Sequence, residues 1–532
     1  MTEHQATQGE SASGTNGAQA LIRTLVACGV DTCFTNPGTS EMHFVAALDD
    51  VPEMRAVLGL FEGVVTGAAD GYSRMAEHPA GTLLHLGPGL GNGLANLHNA
   101  RKGKVPIVNI VGDHATYHKP FDAQLESDIE TVARNVSPWV RSSGSPADVG
   151  RDATEAVAAA TGPPGAVATL ILPADVSWLD GGVVAQPLPA GARQPVDDQT
   201  IGSVIKVLRS GEPAGLFLGG RALQERGLLA ASRIANAVGA RMLCETFPTR
   251  LARGAGLPGI DRLAYLAEFA ANQLDGLRHL IVVDSKAPVS FFAYPGKASY
   301  LVPEGCEVHT LASDSEDAPL ALEVVADELG APAEGATRQP ASPPDLPSGD
   351  LTAQAVAQAV GALLPEGAIV SDEANTSGLF APALTAGAPR HDWLCLTGGA
   401  IGQGMPLATG AAVACPDRKV ISLEADGSAL YTIQALWTQA REGLDVTTII
   451  FNNRSYAILG MELGRVGATA GGPKARDLLD LSRPDMDFVA IAQGLGVPAT
   501  RATTADEFAD QLGRALANPG PALIDAIVPP IM

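Results

Sequence analysis

The stretch KVISLEADGSALYTIQALWTQAREGLDVTTIIFNNRSY (419–456) constrains the fold more than any other part of this chain. A β-branched run ends on Asp426-Gly427-Ser428, a helix-like segment follows, and a second β-run ends on Asn452-Asn453. In a doubly wound parallel sheet both sites lie at the carboxyl ends of strands, where ligands bind, so a βαβ unit sets Asp426 and Asn453 side by side. Both offer hard oxygen ligands suited to Mg²⁺. The backbone N–H groups of Gly427 and Ser428, at a helix start, suit phosphate oxygens. Either pair alone is an ordinary strand-end turn; the combination at matching strand ends points to a diphosphate–metal site.

The rest of the chain is consistent with such sheets. Of its 532 residues 46% are hydrophobic and 17% charged, with 59 glycines, as closely packed α/β layers need and as disorder forbids. Acidic residues outnumber basic ones 58 to 35, giving a net charge of -23. That field excludes a generalised grip on nucleic acid or anionic lipid. No run reaches the roughly 18 apolar residues of a membrane span. Six cysteines without a CxxC pair fit reduced thiols and a cytoplasmic location. Residues 1–17 are polar, and we expect a disordered tail with no secretion signal.

Short β-branched runs alternate with amphipathic stretches, the pattern of three doubly wound parallel-sheet α/β domains. The first is expected over 18–182, with strands near 82–86, 105–111 and 166–172. A Gly/Pro-rich segment at 181–197 leads to a central domain over 198–330, with strands near 215–219, 280–284 and 306–312. The five prolines of 331–350 mark a linker. The third domain is expected over 351–532, with strands near 367–371, 419–424, 446–451 and 522–528.

The 419–456 segment resembles the thiamine diphosphate motif, GDG followed one βα unit later by NN, of the 2-oxo acid decarboxylase and acetohydroxyacid synthase superfamily. The resemblance implies Asp426, Asn453 and the backbone carbonyl of Ser455 as Mg²⁺ ligands, with Gly427 and Ser428 on the diphosphate. Ala425 departs from the pattern, standing where the family has its first glycine. Asn375 and Thr376 in SDEANTSG (371–378) look like the family's further diphosphate contacts. Ile401 in GGAIGQGMP (398–406) matches the apolar wedge that bends the cofactor. By the same resemblance Ile458 and Met461 shape the substrate pocket.

Upstream, VLGLFEGVVTGAADGYSR (57–74) resembles the family's strand-Glu-helix signature and implies Glu62 as the carboxylate that activates the aminopyrimidine; read alone, Glu62 is a charge complementing a helix N-terminus. Asn36-Pro37-Gly38-Thr39-Ser40-Glu41 is similar to the NPG(S/T) loop of benzoylformate decarboxylases, which places Thr39 against the substrate carboxylate. His85, at a strand end before a glycine-rich helix entry, falls where those enzymes keep an active-site histidine, and an ordinary imidazole pKa suits proton transfer. His118-Lys119, in GDHATYHKPFDAQLESDIE (112–130), falls near the paired histidines of pyruvate decarboxylases; a solvated surface loop is the alternative, and Lys119 is also a candidate to neutralise a substrate carboxylate.

The central block separates the subfamilies. CETFPTR (244–250) and VDSKAPVSFFAYPG (283–296) resemble benzoylformate decarboxylases, and the basic segment that contacts FAD in acetohydroxyacid synthases is missing, so FAD is not expected. The second histidine of benzoylformate decarboxylases falls near Ala293, beside Phe291 and Phe292. The resemblance thus implies a thiamine diphosphate and Mg²⁺ dependent decarboxylase or carboligase acting on a small-molecule 2-oxo acid. The alternatives are an acetolactate synthase-like carboligase without FAD and a weakly active cofactor-binding paralogue. It further implies a homodimer or homotetramer with active sites at subunit interfaces, without nucleic acid or membrane partners.

Overall fold

Short strands alternate with helices, the central ones fully buried and rich in Val, Ile and Leu, and in the computed structural model they assemble into three sheets. The structure describes residues 14–189, 191–468 and 471–531. The first sheet has the order β2-β1-β3-β4-β6-β5, built from β1 (Thr32–Asn36), β2 (Arg55–Leu58), β3 (Ala80–Leu84), β4 (Ile107–Asp113), β5 (Trp139–Ser142) and β6 (Val167–Pro173). All its pairings are parallel.

The central segment supplies β7 (Ala214–Leu218), β8 (Arg241–Cys244), β9 (Leu251–Arg253), β10 (Asp261–Arg262), β11 (His279–Val283) and β12 (Glu307–Ala312). Five of these form a parallel sheet in the order β10-β8-β7-β11-β12. The last segment contributes β13 (Ala368–Glu373), β14 (His391–Cys395), β15 (Val420–Ala425), β16 (Val446–Asn452), β17 (Ala499–Ala502) and β18 (Ala522–Ile527), ordered β17-β18-β16-β15-β13-β14-β9.

Three doubly wound α/β sheets are therefore present, with one departure from the expected plan. Strand β9, from within the expected central block, leaves its neighbours and pairs antiparallel to β14, so the third sheet is not purely parallel. An antiparallel strand is sterically acceptable there because β9 is an edge, with no crossover connection to accommodate. The expected tail falls mostly on residues outside those described. Asn16 and Gly17, however, belong to the fold: the Asn16 side chain caps the helix Gly17–Ala27 in a capping box with Gln19.

The first and third sheets are joined by the helices Glu62–Ala76 and Gly404–Ala414, which pack with backbone almost touching backbone. A Cβ on Gly71 would lie 2.0 Å from the Leu407 carbonyl oxygen, and one on Gly410 1.8 Å from that of Ala68. Those small residues set how closely the two sheets approach. Beside this crossing the fully buried Arg74 guanidinium is held by both oxygens of Asp70, at 2.7 and 2.9 Å. It also donates to the carbonyls of Thr249 and Cys395, at 2.9 and 2.8 Å, so one cation ties all three segments together. Such a buried charge is tolerable because every side of it has an acceptor.

At the start of β14, burial and then Arg253 push the His391 imidazole down to about 4, while its Nδ1–H donates to the Pro389 carbonyl at 2.7 Å. An unfolded histidine takes up its proton near 6.5, whereas the folded one resists until about 4. Stability therefore falls as pH drops through that window, by roughly 3 kcal/mol from this group. Urea unfolding of wild type and His391→Leu at pH 7 and pH 4.5 checks this: the variant should lose less on acidification.

Candidate active site

Parallel strands β15 and β16 run in register from Val420↔Val446 to Ala425↔Phe451, so Asp426 and Asn453 emerge at the same sheet edge. Asp426 is 1% exposed. One carboxylate oxygen accepts from the Gly427 N–H at 2.8 Å and the other from the Arg454 N–H at 2.6 Å. Burial nevertheless pushes its pKa up to about 6, against the pull of those amides. No basic side chain forms an ion pair with Asp426 among the described residues, and buried charges are characteristically paired or bound to a metal. Asn453 is buried beside it, its Oδ1 accepting from the Ser455 N–H at 2.9 Å, and Ser455 is half-buried. Its neighbour Asn452 serves the fold instead, donating to Asp525 at 3.0 Å. These hard oxygens fit Mg²⁺ and not a soft metal.

Two other residues singled out by the sequence reach this edge. Asn375 Nδ2 donates to Ser428 Oγ at 2.8 Å, bringing β13 to β15. Thr376 follows in the 3-10 turn Asn375–Phe380, and the adjacent Ser377 hydroxyl is buried with no partner among the described residues. That orphaned hydroxyl and the N–H of buried Ser428 are donors that fit a diphosphate, whereas the Gly427 N–H is already given to Asp426. Gly427 has no room for a side chain, because a Cβ would sit 2.3 Å from the Tyr456 ring.

Ile401 lies in a loop pinned from both sides. Gly402 O accepts from Asn96 Nδ2 at 3.1 Å and Thr432 Oγ1 at 3.0 Å, and Gly402 N donates to Glu373 at 2.6 Å. Asn99 clamps Ala400 through both its backbone groups, at 2.8 and 3.1 Å. Asn96 also donates to Gly63 O at 2.8 Å, so this loop is tied to the start of the helix that carries Glu62. Glu62 is half-buried and accepts from Asn92 Nδ2 at 3.0 Å. Gly89 separates Glu62 from His85: a Cβ there would be 3.2 Å from Glu62 Oε1 and 3.5 Å from His85 Cβ.

His85 Nδ1 bonds to Glu41 Oε2 at 2.7 Å, and Glu41 also accepts from the Gly38 N–H at 2.7 Å. Gly38 must be glycine, since a Cβ would overlap the His85 ring; this stacking brings the exposed Thr39 to the same place. Glu41 is 1% exposed, and burial raises its carboxyl pKa while His85 pulls it down. Its Oε1 has no partner among the described residues. The role of Glu41 was not legible in sequence, because its partner lies 44 residues downstream. Non-glycine residues with left-handed φ stand next to these groups: Leu86 (φ 52°), Asn375 (φ 50°) and Arg454 (φ 57°). Such strain persists where surrounding contacts enforce it, often at functional sites.

The structure does not bring His118 to this cluster: it is exposed on a surface turn and packs at a tilt against the rings of His114 and Phe121. Lys119 is already engaged, its Nζ bonding Asp113 at 2.5 Å and Glu126 at 3.1 Å, which leaves it no free charge for a substrate. Phe291, near where a second histidine was sought, reaches the 399–402 loop: a Cβ on Gly399 would lie 2.5 Å from its ring tip.

Two family models match the chain, the N-terminal TPP binding domain of thiamine pyrophosphate enzymes over residues 15–132 and the C-terminal TPP binding domain over residues 375–526. The chain is 63% identical over 523 residues to the "Putative acetolactate synthase large subunit IlvX" of Mycobacterium tuberculosis, covering 97% of this chain and 100% of the relative. It is 31% identical to a benzoylformate decarboxylase of Pseudomonas aeruginosa, covering 93% and 96%. Among solved structures, a thiamine diphosphate-dependent 4-hydroxybenzoylformate decarboxylase of Rhodococcus jostii RHA1 superposes with a TM-score of 0.84 at 26% identity, covering 97% and 99%.

Proposed function

Starting from a chain that belongs to the thiamine pyrophosphate enzyme family, we propose that it decarboxylates a 2-oxo acid and releases the product or passes it to a second carbonyl. The observation that carries this reading is the buried Asp426 carboxylate, without a cationic partner among the described residues, beside Asn453 at the ends of adjacent strands. In this reading Asp426, Asn453 and the Ser455 carbonyl hold Mg²⁺. Gly427, Ser428, Asn375 and Thr376 hold the diphosphate, Ile401 the bend, and Glu62 the pyrimidine. When bound, the thiazolium ring supplies an electron sink for the pair left behind as CO₂ departs.

The chain's own groups bind the substrate and move protons. The Glu41 carboxylate fixes the His85 ring by accepting its Nδ1–H, which leaves Nε2 as the exchangeable position. Thr39, at the tip of the adjoining turn, offers a hydroxyl to the substrate carboxylate. Ile458 and Met461, on the helix Ala457–Arg465 that follows the NN motif, narrow the pocket.

The carboxyl edge of the central sheet, where a dinucleotide would bind in such a fold, is occupied by the chain's own acids. Asp284 accepts from the Arg221 N–H at 2.9 Å, Glu245 accepts from Ser285 Oγ at 2.6 Å, and burial raises both carboxyls. A second reading, acetolactate formation, is favoured by the name of the 63%-identical relative. Feeding pyruvate tests this narrower reading: acetolactate marks transfer to a second pyruvate, and acetaldehyde marks release of the product instead.

We further propose that each active site takes Glu62 from one subunit and Asp426 from its partner in a homodimer or homotetramer. Glu62→Gln and Asp426→Asn subunits, inactive separately, should regain activity when unfolded together and co-refolded, because one site of each hybrid is intact. A site confined to one chain would show no such recovery.

A further inference from the structure

The amino ends of β7, β11 and β12, opposite the edge described above, gather a second set of ligating side chains. His279 is the first residue of β11 and Glu307 the first of β12, and the two are direct partners in the parallel ladder. His309, two residues along β12, points to the same face as Glu307, as strand alternation requires. Glu212 lies just before β7.

The geometry is that of an unfilled coordination shell. His279 Nδ1 and His309 Nε2 are 3.1 Å apart. Glu307 Oε2 lies 4.0 Å from the first and 3.8 Å from the second. Ligand atoms held at 2.0–2.2 Å from a tetrahedral ion lie about 3.3–3.5 Å from one another, so side-chain shifts of well under 1 Å close the triangle around a metal. Glu212 Oε2 accepts the proton of His279 Nε2 at 3.0 Å, leaving Nδ1 as a lone pair aimed into the gap. A carboxylate on the far nitrogen is the usual support of a metal-bound imidazole. His309 turns its Nε2 toward the same gap. In the metal-free state its Nε2–H faces His279 Nδ1; on binding, that proton relocates to Nδ1 of His309 through solvent, with no net change in charge on the ring. The His279 side chain is 11% exposed and that of Glu307 73%, so the site is anchored inside and open to solvent at its rim.

We propose that His279, His309 and Glu307 form a divalent metal site of the zinc class, with Glu212 orienting His279 and water in the fourth position. Two imidazoles and one carboxylate suit Zn²⁺, or Co²⁺ in its place, and not Mg²⁺. The site is therefore chemically distinct from the oxygen ligands around Asp426, and an ion here would fasten β11 and β12 to the segment entering β7.

The test is calorimetric titration of the full-length protein with Zn²⁺ alone, in millimolar Mg²⁺, with visible absorption of the Co²⁺ form as a second readout. The expected result is one Zn²⁺ per chain, unaffected by Asp426→Asn, and lost in the His279→Gln, His309→Gln double variant. Glu212→Gln should weaken binding by roughly 10–100-fold while keeping one ion per chain. Since His279 is largely buried, circular dichroism confirms folding, and the more accessible His309→Gln single variant must by itself weaken binding. Absence of Zn²⁺ binding in folded wild type, or undiminished binding in the folded variants, overturns the proposal.

Discussion

Replacing Glu62 by glutamine is expected to lower turnover by about 10²–10⁴-fold, the usual contribution of a positioned acid–base group, while thiamine diphosphate still binds. The substitution is nearly isosteric. The amide oxygen of the new side chain can still accept from Asn92, and the close contact with the neighbouring Gly89 is unchanged. What disappears is the carboxylate's ability to share a proton with a nitrogen of the bound pyrimidine. The effect should appear in kcat, with little change in the cofactor concentration needed for half-saturation, as measured by steady-state CO₂ release and cofactor titration. A Glu62→Gln enzyme with full kcat removes the proposed role of this residue.

Asp426→Asn should act on the other term, binding. Both oxygens of Asp426 accept backbone N–H groups, from Gly427 and Arg454. An asparagine can satisfy only one of them and turns an NH₂ group against the other, besides removing the charge. Mg²⁺-dependent cofactor affinity should fall by more than about 100-fold, beyond what a change in a mere supporting residue costs. The fold should survive, because burial already makes the ionised Asp426 unfavourable and the substitution removes a buried charge. Quenching of protein fluorescence by thiamine diphosphate at fixed Mg²⁺ measures this. Unchanged affinity would mean that the metal is held elsewhere.

The residues legible in sequence were those whose chemistry is carried by local pattern. A strand, a polar turn and a helix in succession announced the edge that holds Asp426, Ser428 and Asn453, and the buried runs of β4, β6, β11, β15 and β16 are apolar enough to identify themselves. Glu41 escaped because its importance is a distance: only the fold brings its carboxylate to His85. Asn96 and Asn99, which clamp the 399–402 loop, are ordinary helix residues until the third sheet packs against them. Glu373, raised to about 7 by burial despite the N–H groups of Gly404 and Gly402, was hidden in the same way. Strand β9 is three residues long and ends in Arg253, too short and polar for periodicity to reveal. Lys119 is flanked in the sequence itself by Asp113 and Glu126, closely enough for them to neutralise it.

These observations also sharpen the meaning of the net charge of -23. An anionic protein that acts on anionic substrates must reverse the field locally. With Lys119 committed to Asp113 and Glu126, that reversal rests on Mg²⁺ and the thiazolium. Saturating salt should therefore alter substrate capture less than removal of Mg²⁺ does.

The most direct measurement of the central claim is CO₂ release from a panel of aliphatic and aromatic 2-oxo acids, with thiamine diphosphate and Mg²⁺ added together or omitted singly. Release from at least one acid is expected, abolished when either component is withheld and in Glu62→Gln. Saturable cofactor binding with no CO₂ from any member of the panel would contradict it.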